Sequence, residues 1–405
     1  MSEAATENGP VRDENGVLTL GGVQLDRVLR DANLSTPAYV YDLDAIERNA
    51  RKLVVALGTR GLCCYAVKAN GATPIVRTLV AAGCGVDVVS GGELELALAC
   101  GCKPEHIVYS GVAKRDAEID LALSHGIRAI HAESVEELER IAARARATGK
   151  PARVGLRVNP SVEADTHAHI ATGHDEAKFG IAREDLPRAI QVIRQSGIEL
   201  AAVSSHVGSM LMTTEPYVAA IKVLCGVVAE VRALGFPLSY VDAGGGFGVP
   251  YRDGERAVAG EMFVHAAREA LDAAGLAELP LVIEPGRALV AAHGVLVSRV
   301  IQPKRSGTRR WLFIDAGMND LIRPALYQAH HRIVPVGPET NNVAWRVAGP
   351  VCESSDDFGV HSLPDPPPEL VAIREAGAYG RSMASTYNAR ALAPEVFVRD
   401  GRIVT

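Results

Sequence analysis

Short apolar runs alternate with amphipathic helical stretches along most of the chain. From about residue 60, each run ends in a loop with Gly, Asn or Ser, and an Ala- and Leu-rich stretch of helical period follows. Strands that are nearly continuously apolar are typical of parallel sheets covered on both faces. Eight strands are predicted on this basis, at 62–68, 85–90, 106–110, 127–132, 152–159, 200–208, 239–246 and 281–286.

Eight successive strand–helix units predict a (β/α)8 barrel. A doubly wound sheet is the structural alternative, but it would rarely need eight units in strict alternation. After residue 289 the helical pattern mostly stops, and strands with turns take over. We therefore expect an α/β protein with a TIM-type barrel over residues 40–289. A C-terminal all-β domain, similar to a β-barrel or sandwich, is expected from residues 1–39 plus 290–405.

Composition and charge exclude several classes of function. The 405 residues exceed the usual size of one compact core, which agrees with two domains. The net charge of -6 offers no basic surface for nucleic acid or an anionic membrane. No apolar run reaches the roughly 18 residues of a membrane span, and the polar N-terminus does not resemble a secretory signal. The seven scattered cysteines argue against a disulfide framework, so a cytoplasmic protein is expected.

The candidate chemistry stands at the C-terminal ends of the predicted strands, where TIM-barrel active sites lie. The first strand ends in Lys68, although lysine is among the residues least often fully buried. The seventh strand ends in the glycine-rich stretch 244–248, and the eighth ends in "EPGR", 284–287. Because glycine lets backbone N–H groups approach an anion, and phosphate often binds after strands 7 and 8, these two loops predict a phosphate site.

A lysine beside a phosphate site indicates pyridoxal 5′-phosphate (PLP) as the cofactor. A deprotonated lysine amine can attack an aldehyde, and a desolvated, cation-rich mouth would favour that form of Lys68. The pyridine ring needs an acidic partner to stay protonated, and Glu284 is the candidate. The alternatives are a structural Lys68 with its ammonium in water and a Glu284 that is paired with a structural cation.

Several motifs carry a resemblance to a known family. The stretches "YAVKAN", "DVVSGGEL", "HVGS", "DAGGGFG" and "EPGR" resemble the PLP-dependent decarboxylases of the alanine-racemase-like barrel fold. The later stretches "DAGMNDLIRPALYQAHH", "GPVCESSDDFG" and "GAYGRSMASTYN" narrow the resemblance to the diaminopimelate decarboxylases. The motifs occur in order over roughly residues 36–400. Met210, after "HVGS", departs from the family pattern, which often has a polar residue there.

The resemblance implies a role for each matching residue. The catalytic residues it implies are Lys68, which holds PLP, Cys352, the proton donor, and His206, which stacks on the ring. The cofactor-binding residues it implies are Lys68, Asp87, His206, Ser209, Gly244, Gly245, Gly246, Glu284, Pro285, Gly286, Arg287 and Tyr379. The substrate-binding residues it implies are Arg287, Arg323, Tyr327, Glu353 and Tyr379. In this family the cysteine comes from the partner subunit, so a homodimer with shared active sites is expected.

The charged residues near Cys352 agree with the expected substrate. Lysine or ornithine presents only an ammonium at its far end, whereas diaminopimelate presents an ammonium and a carboxylate. Glu353 offers the negative group, and arginines such as Arg323 suit bidentate carboxylate binding. The predicted function is decarboxylation of meso-2,6-diaminopimelate to L-lysine and CO2, the last step of bacterial-type lysine biosynthesis. Arg323 as a routine surface arginine and Cys352 as a small buried residue are the alternative interpretations.

Other functions on the same fold stay open at this point. A sister PLP decarboxylase would act on another diamino acid or on a secondary-metabolite intermediate. A non-catalytic PLP-binding protein would not need Cys352, Glu353 and Tyr379, and an amino-acid racemase is a third possibility. The histidines of "THAHIATGH" (167, 169 and 174) do not have the spacing of a dedicated metal site, so no metal is predicted and a lid loop is favoured.

Overall fold

The computed structural model describes residues 9–160 and 178–404. The chain divides into two compact units. The first, called the barrel unit here, comprises Asn49–Gly248 and Ala257–Ala288. The second, called the sheet unit, draws on Met1–Arg48, Val249–Arg256 and Leu289–Thr405. Among the described residues, no helix has the length and apolar character that a membrane crossing requires.

The barrel unit contains eight parallel strands in a closed ring, which confirms the predicted (β/α)8 barrel. The last strand closes the ring by pairing in parallel with the first, with Leu281 opposite Gly61 and Ile283 opposite Cys63. The barrel strands are Gly61–Ala66, Gly85–Val88, Ile107–Tyr109, Ala129–Ala132, Arg153–Arg157, Glu199–Ser204, Tyr240–Asp242 and Leu281–Ile283.

Helices follow the strands as the periodicity predicts. The α-helices of this part of the chain are Leu43–Leu57, Thr73–Ala81, Gly91–Ala99, Asp116–His125, Val135–Thr148, Leu186–Ser196, Glu215–Ala233, Gly260–Ala273 and Arg287–Val290. The hydroxyl of Ser134 accepts a hydrogen bond from the backbone N–H of Glu137 and so caps Val135–Thr148. Gly149 ends that helix in the left-handed conformation, where glycine has no steric penalty.

The strands are shorter than predicted at the end that carries the candidate chemistry. The first strand was expected to reach Lys68, but it ends at Ala66, and Lys68 lies in the short 3-10 turn Val67–Ala69. The seventh strand ends at Asp242 because Gly244 and Gly246 have positive φ angles, 66° and 91°, which a β-strand cannot accommodate. Lys68 and the glycines 244–246 therefore lie in turns just beyond the strands.

Buried apolar side chains cluster on the barrel strands. One buried cluster comprises Cys64, Val108, Ala129, Ala201, Ala202, Tyr240 and Val282. Cysteine behaves as a small apolar residue in such a core, which agrees with six of the seven cysteines being buried. Cys352, in the sheet unit, is the exposed one.

The sheet unit is built around a nine-stranded sheet. The strand Ala38–Asp42, which spans the domain boundary expected at residue 40, pairs antiparallel with Gly294–Ser306 and parallel with Glu395–Arg399. The further strands of the sheet are Arg309–Ile314, Ile333–Pro335, Asn342–Ala348, Asp357–Pro364, Leu370–Ile373 and Arg402–Val404. A small sheet of Val11–Arg12, Leu18–Leu20 and Val23–Gln24 and the helices Leu25–Asp31 and Arg323–Tyr327 also belong here, so the unit is mostly rather than wholly β.

Candidate active site

Lys68 and Asp87 form an ion pair at the C-terminal mouth of the barrel. The Nζ atom of Lys68 lies 2.8 Å from Oδ2 of Asp87. Asp87 is fully buried on the second barrel strand, whereas the lysine side chain is 41% exposed. The charge beside the amine is therefore a negative one. The sequence instead predicts positive charges around Lys68. The second oxygen of Asp87, Oδ1, is buried without a hydrogen-bond partner among the described residues, so it can accept one from a ligand.

His206 follows the sixth barrel strand and is neutral in this environment. Burial, assisted by the positive charges of Arg157 and Lys68, holds the pKa of His206 well below its ordinary value. The backbone N–H of Gly245 donates to its Nδ1 atom at 3.2 Å. Since Nδ1 accepts, the ring proton is on Nε2, and the imidazole is fixed in one tautomer. A neutral, oriented imidazole suits a flat aromatic partner.

The glycines after the seventh strand form a cradle with no room for side chains. A Cβ atom on Gly245 would overlap the carbonyl oxygen of Glu284, and one on Gly246 would overlap the carbonyl oxygen of Gly208. Gly244 and Gly246 also need positive φ angles. Backbone N–H groups in such a turn can face an anion directly, which fits a phosphate group.

Arg287 and Ser209 meet near the loops that were predicted to hold phosphate. The guanidinium Nη2 of Arg287 donates to Oγ of Ser209 at 3.1 Å. Arg287 is buried, with 7% of its surface exposed, so its charge acts in a region of reduced solvent screening. Met210, the next residue, has a positive φ of 67°, an uncommon conformation for a residue with a side chain.

Glu284 is held by a chain of buried polar side chains from other strands. Its Oε1 accepts a hydrogen bond from Oγ of Ser110 at 3.2 Å. Nδ1 of His131 lies 3.4 Å from the same hydroxyl, and Nε2 of His131 lies 3.0 Å from the hydroxyl of Tyr240. Burial lowers the pKa of His131 to about 3, so this ring is neutral and acts as a hydrogen-bonding bridge.

A second carboxyl group, Asp242, lies beside this chain. Single ligand atoms of His131, Asp242 and Glu284 all lie within 4.8 Å of one another. Burial raises the pKa of Asp242 to about 7, and burial together with Asp242 and Asp87 raises the pKa of Glu284 well above its usual range. Two such carboxyl groups cannot both ionise without a nearby cation. A protonated ring nitrogen beside Glu284 would let it ionise while Asp242 keeps its proton.

The same three residues also have a spacing that a metal ion could use. Both nitrogens of His131, however, already lie within hydrogen-bonding distance of Ser110 and Tyr240. The arrangement therefore suits a ring nitrogen at Glu284 better than a metal. Taken with the glycine cradle and Lys68, the barrel mouth fits PLP.

Sequence reasoning did not single out Ser110, His131 and Asp242 as functional. The only signal for them is that polar residues interrupt or end apolar strands, and such residues are equally common as structural groups. A second buried network nearby was likewise not assigned a role. Lys114 donates to Glu137 at 3.1 Å, and Arg157 pairs with Glu133 at 2.7 Å.

Arg323 of the sheet unit is not a routine surface arginine. Only 6% of it is exposed. Its Nη1 lies 2.8 Å from Nε2 of His331, and its guanidinium carbon lies 4.8 Å from the centre of the Tyr251 ring. A cation–π contact and a hydrogen bond hold the fork in one orientation, which is what bidentate carboxylate recognition requires.

Cys352 and Glu353 occupy an exposed loop of the sheet unit. The backbone N–H of Cys352 donates to Oδ1 of Asn388 at 3.0 Å, and the hydroxyl of Tyr387 donates to Oε1 of Glu353 at 2.5 Å. Cys352 is therefore not a buried space-filling residue. Tyr387 and Asn388 are part of the quoted "MASTYN" stretch but were not assigned a role.

Tyr327 and Tyr379 also belong to the sheet unit and are half-buried. Tyr379 has a positive φ of 55°, so its backbone adopts a conformation that is uncommon for tyrosine. The histidines at 167, 169 and 174 lie outside the described residues. The predicted residues thus fall into a barrel group from Lys68 to Arg287 and a sheet group from Arg323 to Tyr379.

Known proteins match this chain over most of its length. The family described as "Pyridoxal-dependent decarboxylase, pyridoxal binding domain" matches residues 43–291. A curated diaminopimelate decarboxylase of Pseudomonas aeruginosa is 41% identical over 381 residues, 93% of this chain and 90% of the relative. That of Zymomonas mobilis is 38% identical over 401 residues, 96% of this chain and 93% of the relative.

The chain belongs to the diaminopimelate decarboxylase family. Solved structures agree with the sequences. The diaminopimelate decarboxylase of Helicobacter pylori complexed with L-lysine has a TM-score of 0.87 and 37% identity and covers 93% of this chain and 94% of that one. That of M. jannaschii, in co-complex with L-lysine, has a TM-score of 0.90 and 32% identity, covering 98% and 94%.

Family membership confirms the predicted fold, the dependence on PLP and the assignment as a carboxy-lyase. The alternative of a non-catalytic PLP-binding protein loses its support, since the relatives matched over nearly their whole length are named as enzymes.

Proposed function

We propose that the protein decarboxylates meso-2,6-diaminopimelate to L-lysine and CO2, the last step of bacterial-type lysine biosynthesis. The observation that carries the proposal is the barrel mouth itself. There the Lys68–Asp87 pair, the glycine cradle and the carboxyl of Glu284 lie at or just beyond strand ends, in a chain that matches diaminopimelate decarboxylases over more than nine-tenths of its length. Solved relatives bind L-lysine, which is the product expected here.

PLP, when bound, supplies an electron sink for the electron pair that the departing CO2 leaves behind. Lys68 is the residue proposed to hold its aldehyde carbon covalently, with Asp87 keeping the amine in position. In its neutral form, His206 would stack on the ring of the bound cofactor. The phosphate is proposed to contact Ser209, Gly244, Gly245, Gly246, Pro285, Gly286 and Arg287.

Glu284 is proposed to keep the ring nitrogen protonated. Its carboxylate can do this only while it is itself ionised. The Ser110 hydroxyl and the His131 ring hold Glu284 in place, and Asp242 takes the neutral form, so that a single negative charge faces the single positive charge of the ring. The pair of carboxyl groups thereby matches the charge of a pyridinium.

The proton that completes the reaction is proposed to come from Cys352. A thiol in an exposed loop is accessible, so it could donate its proton to Cα of the substrate. We propose that the subunits form a homodimer and that Cys352 serves the site of the other subunit. The exposed loop, tied by Asn388 and Tyr387, has the accessibility that such an exchange needs.

The distal end of the substrate, which does not react, carries an ammonium and a carboxylate. Glu353 is proposed to bind the ammonium and Arg323 the carboxylate, with a hydrogen bond from the Tyr327 hydroxyl. Arg287 and Tyr379 are proposed to contact the substrate beside the cofactor. The orientation of the Arg323 fork by His331 and Tyr251 supports this assignment, because a fixed fork loses less entropy on binding.

We propose that residues 40–289 are the PLP-binding domain and that residues 1–39 plus 290–405 carry the Cys–Glu and Tyr motifs. We propose the cytoplasm as the location, because the free thiols suit a reducing compartment.

Release of CO2 from a panel of amino acids with added PLP tests the function. The panel contains meso-diaminopimelate, lysine, ornithine and arginine. We expect release from meso-diaminopimelate at a kcat/KM at least 100-fold above the other three. A preference for ornithine or arginine would identify a sister decarboxylase, and no release from any substrate despite bound PLP would contradict the enzymatic proposal.

A further inference from the structure

Two segments of the sheet unit run side by side through side-chain contacts. We call residues 350–356 the cysteine loop and residues 385–390 the tether segment. The Arg390 guanidinium donates to the carbonyl of Pro350 at 3.3 Å. Oδ1 of Asn388 accepts from the N–H of Cys352 at 3.0 Å, as described above. The later residue of the tether segment therefore contacts the earlier residue of the cysteine loop, as in an antiparallel pair. Each contact anchors a different point of the cysteine loop.

The base of the cysteine loop is fixed by other groups. The buried Asp356 accepts hydrogen bonds from the backbone N–H groups of Val351 and Met318, both at 2.7 Å. The tether segment is anchored at its start, where the N–H of Ser385 donates to the carbonyl of Asn319 at 2.8 Å. Between these anchored bases, Cys352 and Glu353 are exposed and depend on the tether for their orientation.

We propose that Tyr387 and Asn388 are positioning residues that orient Glu353 and Cys352 for the reaction. The inference rests on the proposed function, since it names the device that places the proton donor and the distal-ammonium ligand. Tyr387 acts on the carboxylate of Glu353, and Asn388 acts on the backbone of Cys352. Adjacent residues of one segment thus hold adjacent residues of the other.

The chemistry of the Tyr387–Glu353 contact suits this task. An exposed glutamate side chain has several rotamers, and ordering it only when the substrate binds would cost affinity. The phenol donates a charge-assisted hydrogen bond and uses one of several acceptor sites on the carboxylate, so the others stay free for an ammonium. The hydrogen bond to Glu353 also raises the pKa of Tyr387, so the phenol keeps the proton that it donates.

The conformation of the tether segment supports a role beyond packing. Asn388 and Ala389 have positive φ angles of 55° and 57°. Asparagine tolerates this region, but alanine does so only at a cost in energy. Residues held in such conformations often lie at functional sites, and here the conformation aims the Asn388 side chain at Cys352.

Tyr387 has one competing interpretation. It borders a cavity of about 410 Å³ with Met318, Asn319, Ile322, Ser385 and Thr386, so it could instead contact the substrate directly. A double-mutant cycle separates the two roles. We expect Tyr387→Phe to lower kcat/KM for meso-diaminopimelate about 10-fold, mainly through KM. In a Glu353→Gln background the same change should have less than a twofold effect, because the tyrosine acts through the carboxylate.

A matched control for the carboxylate change is Glu369→Gln. Glu369 is an exposed glutamate of the same unit and pairs with Arg299 at 2.6 Å. This variant should keep wild-type kinetics. Full additivity of Tyr387→Phe and Glu353→Gln would overturn the positioning role, because a direct substrate contact predicts that result.

Asn388→Ala should act on kcat rather than KM, since Cys352 delivers a proton after the substrate is bound. A purely structural defect in the segment would not lower kcat in one variant and raise KM in the other. Equal effects of Tyr387→Phe and Asn388→Ala on both constants would therefore contradict the proposal.

Thiol labelling tests the tether without any activity measurement. Six cysteines are buried and Cys352 is exposed, so a thiol reagent such as iodoacetamide should label Cys352 first in the native protein. In Asn388→Ala we expect the Cys352 labelling rate to change at least threefold across pH 6–9, because the loop loses its tether. A rate equal to that of the wild type would overturn this part. If wild-type protein released no CO2 from meso-diaminopimelate, the proposed function would be wrong, and the labelling result would still decide whether the tether exists.

Discussion

The Nζ atom of Lys68 lies 2.8 Å from Oδ2 of Asp87, so an exposed amine is paired with a fully buried carboxylate. The carboxylate comes from the neighbouring barrel strand, and the pair holds the amine at the mouth. The direction of the lysine side chain thus depends on a residue of the neighbouring strand and not only on the turn that contains Lys68. This placement makes Lys68 the lysine expected to bind PLP.

Borohydride reduction of the protein with bound PLP should fix the cofactor to Lys68. The amine is half-exposed and fixed in direction, whereas a buried lysine such as Lys114 already donates to Gly111, His131 and Glu137. Peptide mapping by mass spectrometry measures the site. The Lys68→Ala variant should show no fixed cofactor, and a label on any other lysine would make the central assignment wrong.

Asp242→Asn should flatten the pH dependence of stability of the PLP-free protein. The pKa of Asp242 is about 7 when folded and about 3.9 when unfolded. The folded state therefore binds more protons between these values, and the free energy of unfolding falls as the pH rises from about 4 to 7. Asparagine has no such proton to release, so the free energy of unfolding of Asp242→Asn should fall less over this range. Part of the fall should remain, because the pKa of Glu284 is raised as well.

Urea unfolding at pH 5 and pH 7.5 measures this difference. Asp120→Asn is the control, because Arg144 lowers the pKa of Asp120 and that group is ionised in both states over this range. The difference in free energy of unfolding between Asp120→Asn and the wild type should be the same at both pH values. The assignment fails if Asp242→Asn and the wild type lose equal stability between the two.

Gly245→Ala should abolish PLP binding or prevent folding. Its new methyl group would overlap the carbonyl oxygen of Glu284, which is backbone and cannot rotate away. Gly226→Ala is the matched control, since that glycine lies exposed in the helix Glu215–Ala233 with no atom within 4 Å of the new methyl. There we expect a gain of about 0.5–1 kcal/mol in the free energy of unfolding. Fluorescence titration with PLP and thermal unfolding check both variants.

Arg323→Met should reduce discrimination between diaminopimelate and lysine. A charged hydrogen bond contributes roughly 1.5–3 kcal/mol, so kcat/KM for diaminopimelate should fall by about 10- to 150-fold. Lysine lacks the distal carboxylate, and its poor turnover should fall much less. Arg299→Met removes an exposed arginine that is paired with Glu369, and it should leave kcat/KM unchanged for both substrates. Equal losses on both substrates would show that Arg323 serves the fold or the reacting end.

Mixing inactive Lys68→Ala with inactive Cys352→Ala should restore part of the activity. If Cys352 completes the site of the partner subunit, a heterodimer contains one intact site. CO2 release after verified subunit exchange measures the effect. A mixture as inactive as its components would refute the shared site, and a mixture of Lys68→Ala with Lys68→Ala,Cys352→Ala is the control that should stay inactive.

The hydrophobic period of the sequence was sufficient to predict the barrel. Each strand is short and apolar, each helix is amphipathic, and eight repeats permit few architectures. The motifs at strand ends also identified Lys68, the glycine cradle and the "EPGR" turn. These residues could be predicted because they follow each other in local patterns, and because every parallel strand of a barrel ends at the same mouth.

Only the tertiary structure decided which polar groups meet. Ser110, His131 and Tyr240 come from three separate strand–loop units, and no local sequence pattern indicates that they support Glu284. The same holds for Tyr387 and Glu353, which are 34 positions apart and meet through a single hydrogen bond. Side-chain pairing across strands and loops depends on register, closure of the sheet and backbone conformation. A sequence pattern records the period of each element, but the spatial arrangement of separate elements arises when they pack.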